Sequence, residues 1–198
     1  MELPVYLIGY MGAGKTTAGR LLADKLGWHF VNLDDAFKEF YGLSTADYIW
    51  TYGMDDFRRK EKDVVEELAE LPMDRVIYAT GGGYPCWEDN MDCLHELGTS
   101  IYIRWQPKHL AKRLALTDLS ERPVLQGHTE EELLQFITPH LESREPYYSQ
   151  ADYIIDAPLG ECDEEVDERI AEHLLPTEIL HDGGTPTNQT QYQQEKGL

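Results

Sequence analysis

The segment "GYMGAGKT", from Gly9 to Thr16, is the feature that most restricts how this chain can fold. It matches the pattern Gly-x-x-x-x-Gly-Lys-Ser/Thr, in which glycines let backbone N–H groups turn inward and approach phosphate oxygens closely. The apolar run "VYLI" precedes it, and a segment with helical spacing, "KTTAGRLLADKLG", follows it. A strand, a glycine-rich loop and a helix N-terminus in this order predict a phosphate-binding loop, the P-loop, at one edge of a sheet.

The P-loop predicts a nucleotide site and gives its residues distinct tasks. We expect Lys15 to reach the β- and γ-phosphates and the Thr16 hydroxyl to ligate Mg²⁺. The predicted nucleotide contacts in and after the loop are Gly12, Ala13, Gly14, Lys15, Thr16 and Thr17. Because switches, pumps and kinases share this motif, the loop leaves the acceptor of the phosphate open.

Five apolar, β-branched or aromatic runs alternate along the chain with segments of helical spacing. The runs are "VYLIGY", "WHFVNL", "RVIYAT", "TSIYIRW" and "ADYIID". This alternation predicts an α/β fold, a single three-layer P-loop NTPase domain in which a five-stranded parallel sheet carries helices on both faces. "VYLI" and "YIID" are nearly continuous in apolar residues, which predicts strands buried on both faces. The first helix is expected to end at Gly27, a C-cap glycine.

Two segments are predicted to be additions to that sheet. Residues 34–70 form a long, mostly helical excursion between the second and third strands, and residues 116–128 are polar, contain Pro and Gly and lack a sustained period. The second segment is a candidate mobile lid over the nucleotide. We predict one domain over residues 1–176, followed at 177–198 by a Gly-, Gln-, Asn- and Thr-rich tail that is disordered.

Charge and composition restrict the partners of the protein. The formal net charge is −20 at pH 7, and a surface that acidic repels nucleic acids and anionic membranes. No apolar run approaches the roughly 20 residues that cross a bilayer, and the N-terminal segment lacks a basic leader. The three cysteines, Cys86, Cys93 and Cys162, lack metal-ligand spacing and are expected to be reduced thiols in a cytoplasm. Any phosphorylated ligand therefore requires the few cations to gather at its site.

Polar residues after the second and third strands are candidates for binding the acceptor. Asp34 in "NLDD" follows the second strand, and the carboxyl ends of parallel strands face the ligand crevice. Its carboxylate could orient an acceptor hydroxyl or take its proton, and the alternative is that it caps the next helix. Asp35 is better explained as a first-turn helix acid. The run Gly81, Gly82, Gly83 in "ATGGGYPC" either leaves room for a ligand against the main chain or is a plain turn.

Three arginines in separate segments are candidates for binding an anion. They are Arg58 in "FRRKE", Arg122 in "SERPVL" and Arg144 in "SREPYY". A guanidinium presents a planar fork that binds carboxylate or phosphate through two hydrogen bonds. Each of them, taken singly, is better explained as a member of a surface ion pair, as are Arg59 and Lys60.

The order of these motifs resembles the shikimate kinase family, in the nucleoside-monophosphate-kinase-like branch of the P-loop fold. That family has a P-loop, an Asp after strand two, "FR" followed by Glu, "GGG" after strand three, "RP-L" in the lid and "R-P-Y" before the last strand. Here the corresponding segments are "GYMGAGKTT", "NLDD", "FRRKE", "TGGG", "ERPVL" and "REPYY". The resemblance implies transfer of phosphate from ATP, with Mg²⁺, to a hydroxyl of shikimate, in the pathway to aromatic amino acids.

The resemblance also implies roles for residues on the acceptor side. Arg58 and Arg144 would hold the carboxylate of shikimate, and Gly81 and Gly82 would offer backbone contacts. Asp34 would bind ring hydroxyls and could act as the base.

On the nucleotide side, the resemblance implies that Arg122 meets the transferring phosphate when the lid closes. Arg113 would lie against the adenine, and Glu61 would hold Arg58 in place on the acceptor side. A small domain of this kind is expected to be a monomer that takes ATP and shikimate as its partners.

One position departs from the family pattern. Where the family has Asp-x-Asp, this chain has Asn32, Leu33 and Asp34, so a carboxylate expected to help hold Mg²⁺ is replaced by a neutral amide. Thr16 and the nucleotide phosphates could carry the metal alone, and either the affinity for Mg²⁺ is lowered or Asp35 or a water compensates. Two alternatives stay open from the sequence: a kinase for another small hydroxy acid such as gluconate, and a nucleotide-binding relative without phosphotransfer.

Overall fold

The computed structural model describes residues 3–117, 125, 127–157 and 165–174. Its five strands are β1 (Val5–Ile8), β2 (His29–Asn32), β3 (Val76–Ala79), β4 (Thr99–Arg104) and β5 (Tyr153–Asp156). The helices are α1 (Lys15–Leu26), α2 (Leu33–Tyr41), α3 (Thr45–Tyr52), α4 (Met54–Ala69), α5 (Asn90–Leu97), α6 (Pro107–Ala115), α7 (Glu130–Tyr148) and α8 (Val166–Leu174), with a short 3₁₀ helix at Tyr84–Cys86. All five predicted strands are confirmed, and so is the α/β class.

The sheet is parallel throughout, and its strands lie in the order β2-β3-β1-β4-β5. β1 and β3 are buried along their whole length, as the apolar run "VYLI" predicts. The corresponding prediction for "YIID" is wrong, because β5 is an edge strand that is only half-buried and ends in an exposed aspartate. That residue, Asp156, accepts hydrogen bonds of 2.6 and 2.8 Å from the Arg104 guanidinium at the end of β4.

The excursion after β2 folds into three helices, α2, α3 and α4, which are held together by aromatic rings. Phe37 is central, with its ring centroid 4.8 to 5.0 Å from those of Tyr41, Tyr48 and Phe57. This cluster packs α4, the helix that carries Arg58, against α2 and α3. The predicted lid, apart from its two ends and residue 125, and the predicted tail lie outside the described residues.

Helix α7 is the long helix that leads into β5. Its start is fixed by a capping box, in which the Thr129 hydroxyl accepts from the Glu132 backbone N–H and the Glu132 carboxylate accepts from the Thr129 N–H. Residues four apart share a face of a helix, so His140, Arg144 and Tyr148 are aligned along one side. In the described part of the chain, none of the helices combines the length and apolarity needed to cross a bilayer. Cys86 and Cys93 are both free thiols, and Cys162 lies outside the described residues.

The carboxyl ends of the central strands place three loops side by side. The P-loop follows β1, the glycine run 81–83 follows β3, and α2 follows directly from β2. Ligands of open parallel sheets bind in the crevice outside these strand ends. The candidate site is therefore built at this edge.

Candidate active site

The P-loop has the backbone conformation that its glycines predict. Gly9, Gly12 and Gly14 all have positive φ, at 138°, 79° and 90°, a region that other residues adopt only with strain. Gly14 is the N-cap of α1, so the positive end of that helix faces the loop. Lys15 is buried, and its ammonium donates to the carbonyls of Gly9 and Tyr10 at 2.9 and 3.0 Å. The loop thus holds its lysine close to the main chain that would surround the phosphates.

Asn32 joins the P-loop to the start of α2. Its Nδ2 donates to the Thr16 hydroxyl at 3.0 Å, and its Oδ1 accepts from the backbone N–H groups of Asp34 (2.8 Å) and Asp35 (3.3 Å). Asn32 is therefore the N-cap of α2, and the alternative in which Asp34 caps this helix is wrong. Because the amide performs the capping, the exposed carboxylate of Asp34 is not required for that purpose.

Arg58 and Glu61 pack against the glycine run that follows β3. Arg58 donates from Nη1 to Glu61 Oε2 in a close ion pair. A Cβ at Gly83 would collide with the Arg58 guanidinium, and a Cβ at Gly81 would lie 2.6 Å from Glu61 Oε1 and 3.6 Å from Asp34 Oδ1. Arg58 and Glu61 thus approach the main chain closely at Gly83 and Gly81, where a Cβ would displace the ends of their side chains. The run itself forms a turn, in which the Tyr84 N–H donates to the Gly81 carbonyl at 3.1 Å.

Arg144, on α7, contacts the same glycine run. Its Nη1 donates to the Gly82 carbonyl at 3.3 Å, and the Tyr148 hydroxyl donates to the same oxygen at 2.5 Å. The Arg144 guanidinium also lies over the ring of Tyr10, 5.6 Å from its centroid. Gly82 itself packs on the P-loop, where a Cβ would lie 3.2 Å from the Met11 nitrogen. The structure thus brings both predicted carboxylate-binding arginines to neighbouring glycines beside the P-loop.

Arg113, on α6, lies beside the P-loop at Gly14. Its Nη2 binds both oxygens of Asp167 at 2.7 and 2.8 Å, and its guanidinium lies 5.6 Å from the ring centroid of Trp105. Trp105 donates from Nε1 to the carbonyl of Ala13 at 3.0 Å, and a Cβ at Gly14 would collide with the Asp167 carboxylate. Arg113 is therefore held by two residues, Asp167 and Trp105, that contact the P-loop. Arg122 lies outside the described residues.

Four residues that the sequence did not single out belong to this site. Trp105 and Asp167 fix Arg113, and Tyr10 and His140 are joined by a hydrogen bond of 2.8 Å between the Tyr10 hydroxyl and His140 Nδ1. Trp105 could have been found, because it directly follows β4 at the edge where the ligand crevice lies. Tyr10 occupies a variable position of the P-loop motif, and Asp167 and His140 carry no sequence signal.

Burial shifts the pKa values of several groups in the site. Loss of solvation raises the pKa of Glu61 to about 7, although the Arg58 guanidinium opposes the rise, and nearby Asp34 adds to it. Loss of solvation also raises the pKa of the Tyr10 phenol to about 12. Burial and the charge of Arg144 lower the pKa of His140 below its usual value. Tyr10 is therefore protonated and His140 is neutral at pH 7.

Three cations near the P-loop are largely buried, although the chain as a whole is acidic. Lys15 is 8% exposed, and the side chains of Arg58 and Arg113 are each 14% exposed. The chain carries 17 basic against 37 acidic residues, so three of its few cations are gathered at the edge where a phosphorylated ligand would bind. A P-loop surrounded by cationic side chains defines a nucleotide-binding protein of the P-loop class.

Comparison with known proteins narrows this class. The family model described as "Shikimate kinase" matches residues 11–175. A shikimate kinase of Bacteroides fragilis is 41% identical over 150 residues, which cover 76% of this chain and 82% of that protein. The chain belongs to the shikimate kinase family.

Solved structures agree with the family assignment. The crystal structure of shikimate kinase from Bacteroides thetaiotaomicron has a TM-score of 0.77 and 36% identity, and the match covers 87% of this chain and 96% of that one. Shikimate kinase from Acinetobacter baumannii, solved in complex with shikimate, has a TM-score of 0.71 and 30% identity, covering 88% and 94%. The resemblance inferred from the six motifs is confirmed.

Glu61 predicts a pH dependence of stability. Its pKa is about 7 in the folded protein against 4.5 for an ordinary glutamate, so between these values the folded protein binds a proton that the unfolded chain has released. Stability from this group is complete below the lower value and is lost as the pH rises through the higher one. Across that window, we expect the free energy of unfolding of the wild type to fall relative to that of Glu61→Gln by about 3 kcal/mol.

Denaturant unfolding at a series of pH values measures this difference. Glu67→Gln, an exposed glutamate on the same helix, is the matched control and should follow the wild type. Parallel curves for the wild type and Glu61→Gln would show that the buried carboxyl titrates as it does in the unfolded chain.

Proposed function

We propose that the protein transfers the γ-phosphoryl group of ATP to a hydroxyl of shikimate, giving shikimate 3-phosphate and ADP, within the synthesis of aromatic amino acids. The observation that carries the proposal is the approach of Arg58 and Arg144 to the glycine run beside the P-loop. Two guanidinium groups there suit a small acceptor with a carboxylate. A nucleotide acceptor would instead need a site for a phosphate and a base.

Each group on the acceptor side has a proposed task. Arg58 and Arg144 bind the carboxylate of shikimate, and the backbones of Gly81 and Gly82 contact its ring. Asp34, whose carboxylate lies beside Gly81, binds ring hydroxyls and orients the attacking one or takes its proton. Glu61 keeps Arg58 in place through their ion pair.

On the nucleotide side, the backbone from Gly12 to Thr17 surrounds the phosphates. Lys15 stabilises the charge that develops on the transferring group, and Arg122 adds a second cation when the lid at 116–128 closes. Arg113, held by Asp167 and Trp105, lies against the adenine. Closure of the lid excludes water, which would otherwise hydrolyse ATP.

The residues around Thr16 are compatible with Mg²⁺. The Thr16 hydroxyl oxygen accepts one hydrogen bond from Asn32 and has a second lone pair for a metal. The Asn32 amide is neutral, so it brings no charge to the metal. Its oxygen already accepts from two backbone N–H groups. We propose that Thr16, the nucleotide phosphates and water hold Mg²⁺, which neutralises phosphate charge when bound.

The chain itself performs no covalent chemistry in this scheme. Arg58, Arg144 and Asp34 hold the acceptor hydroxyl in line with the phosphorus, and the cations of the P-loop side stabilise the equatorial oxygens. As the bond from the acceptor oxygen to phosphorus forms and the bond from phosphorus to ADP breaks, the proton of the hydroxyl moves to Asp34 or is released to solvent. We further propose that residues 1–176 act as one domain, as a monomer in the cytoplasm that binds neither nucleic acid nor membrane.

The test of this function is ADP release by the purified protein with ATP and Mg²⁺. We expect release with shikimate, and release no faster than in the acceptor-free control with gluconate or a nucleoside monophosphate. Release with gluconate alone would keep the mechanism and change the acid that is bound. Binding of ATP without release for any acceptor would instead indicate a relative without phosphotransfer.

The two adjacent arginines of α4 allow a matched test of the acceptor site. Arg58→Ala should raise the Kd for shikimate about 10- to 100-fold, because a charge-assisted hydrogen bond contributes about 1.5–3 kcal/mol, while the Kd for ATP stays within about twofold. Arg59→Ala should leave both constants unchanged, because Arg59 is exposed and donates only to the Asp55 carbonyl among the bonds described. Calorimetric titration measures both ligands, and equal losses for both in Arg58→Ala would contradict its assignment to the acceptor.

A further inference from the structure

Tyr10 occupies a position between the two halves of the site. Its carbonyl accepts from the Lys15 ammonium at 3.0 Å and from the Ala13 N–H at 3.1 Å, both on the nucleotide side. Its ring faces the guanidinium of Arg144, on the acceptor side. Tyr10 is 1% exposed, so its orientation is set by protein contacts.

His140 holds the far end of the Tyr10 side chain. Its Nδ1 lies 2.8 Å from the Tyr10 hydroxyl, and the two rings meet edge to face with centroids 5.5 Å apart. The hydroxyl and Nδ1 share this hydrogen bond with either neutral tautomer of the imidazole, and the tautomer decides which atom donates. The bond thereby fixes the direction in which the Tyr10 ring projects.

The same face of α7 carries the partners of the acceptor-side backbone. One turn after His140, Arg144 donates to the Gly82 carbonyl, and one turn further Tyr148 donates to the same oxygen. Because Gly82 also packs against the backbone of Met11, α7, the glycine run and the P-loop form one continuous set of contacts. His140 is the member of this set that bonds the P-loop side chain itself.

We propose that His140 is a positioning residue, which fixes the Tyr10 ring through its hydroxyl and so orients Arg144 toward the carboxylate of the acceptor. This role rests on the proposed function, because the acceptor bound at Arg144 is taken to be shikimate. The Tyr10 carbonyl remains held by Lys15 and Ala13 when the hydroxyl bond is lost. The effect is therefore expected on acceptor binding and not on nucleotide binding.

Two substitutions separate the hydrogen bond from the ring contact. His140→Phe keeps an aromatic ring beside Tyr10 but removes the hydrogen-bonding nitrogen. His140→Asn removes the ring but places an amide, which can donate or accept, where Nδ1 stands. We expect His140→Phe to raise the Kd for shikimate about fivefold, the effect of one hydrogen bond, while the Kd for ADP stays within about twofold. His140→Asn should bind shikimate within about twofold of the wild type.

Tyr10→Phe supplies the other half of a double-mutant cycle. It should reproduce the fivefold loss, and combining it with His140→Phe should add nothing further, because both changes remove the same bond. Equal Kd values for shikimate in the wild type and His140→Phe, or equal losses in His140→Phe and His140→Asn, would overturn the positioning role. Failure of the wild type to bind shikimate at all would overturn the proposed function, and this inference with it.

Discussion

Close approach of side chains to a bare main chain at Gly81, Gly82 and Gly83 is the constraint on which the site depends. These glycines follow β3 in the middle of the sheet, next to the P-loop that follows β1. Because these residues have no Cβ, Arg58 and Glu61 can lie against the main chain of the run. Arg144 and Tyr148 donate to the Gly82 carbonyl. A side chain on Gly81 or Gly83 would occupy the space that these groups fill.

The buried charges show how an acidic chain prepares a site for anionic ligands. Removing Arg58 and Glu61 from water is costly for each alone, and their ion pair offsets part of that cost. The raised pKa of Glu61 records what remains uncompensated. When an acceptor carboxylate binds Arg58, that guanidinium gains a second anionic partner, which is the arrangement for which its planar fork is suited. The buried pair thus lowers local stability but keeps the Arg58 guanidinium oriented before the acceptor binds.

Much of the fold and of the site could be predicted from the sequence, because the deciding signals are local. The P-loop pattern fixed Lys15 and Thr16, and apolar runs located all five strands. The burial of "YIID" was mispredicted because apolar composition does not say whether a strand has one neighbour or two. Asn32 was not predicted as the N-cap of α2 because Asn32 and Asp34, two positions apart, are both favoured cap residues.

Contacts between distant segments account for the rest of what could not be predicted. His140 and Tyr10 are brought together by the packing of α7 against the P-loop, and Asp167 meets Arg113 only because α8 returns to α6 and α1. Tyr10 fills a variable position of the P-loop motif, His140 and Asp167 stand in no motif, and the neighbours of these residues in sequence do not reveal their partners. They support residues that the motifs do reveal.

A crystal structure of the protein with ADP and shikimate bound would test the central claim most directly. We expect the shikimate carboxylate to lie within hydrogen-bonding distance, about 3 Å, of the guanidinium groups of both Arg58 and Arg144. We also expect a ring hydroxyl to face Asp34 on the side toward the P-loop. A carboxylate bound away from both arginines, or a ring turned so that no hydroxyl faces the nucleotide, would contradict this claim.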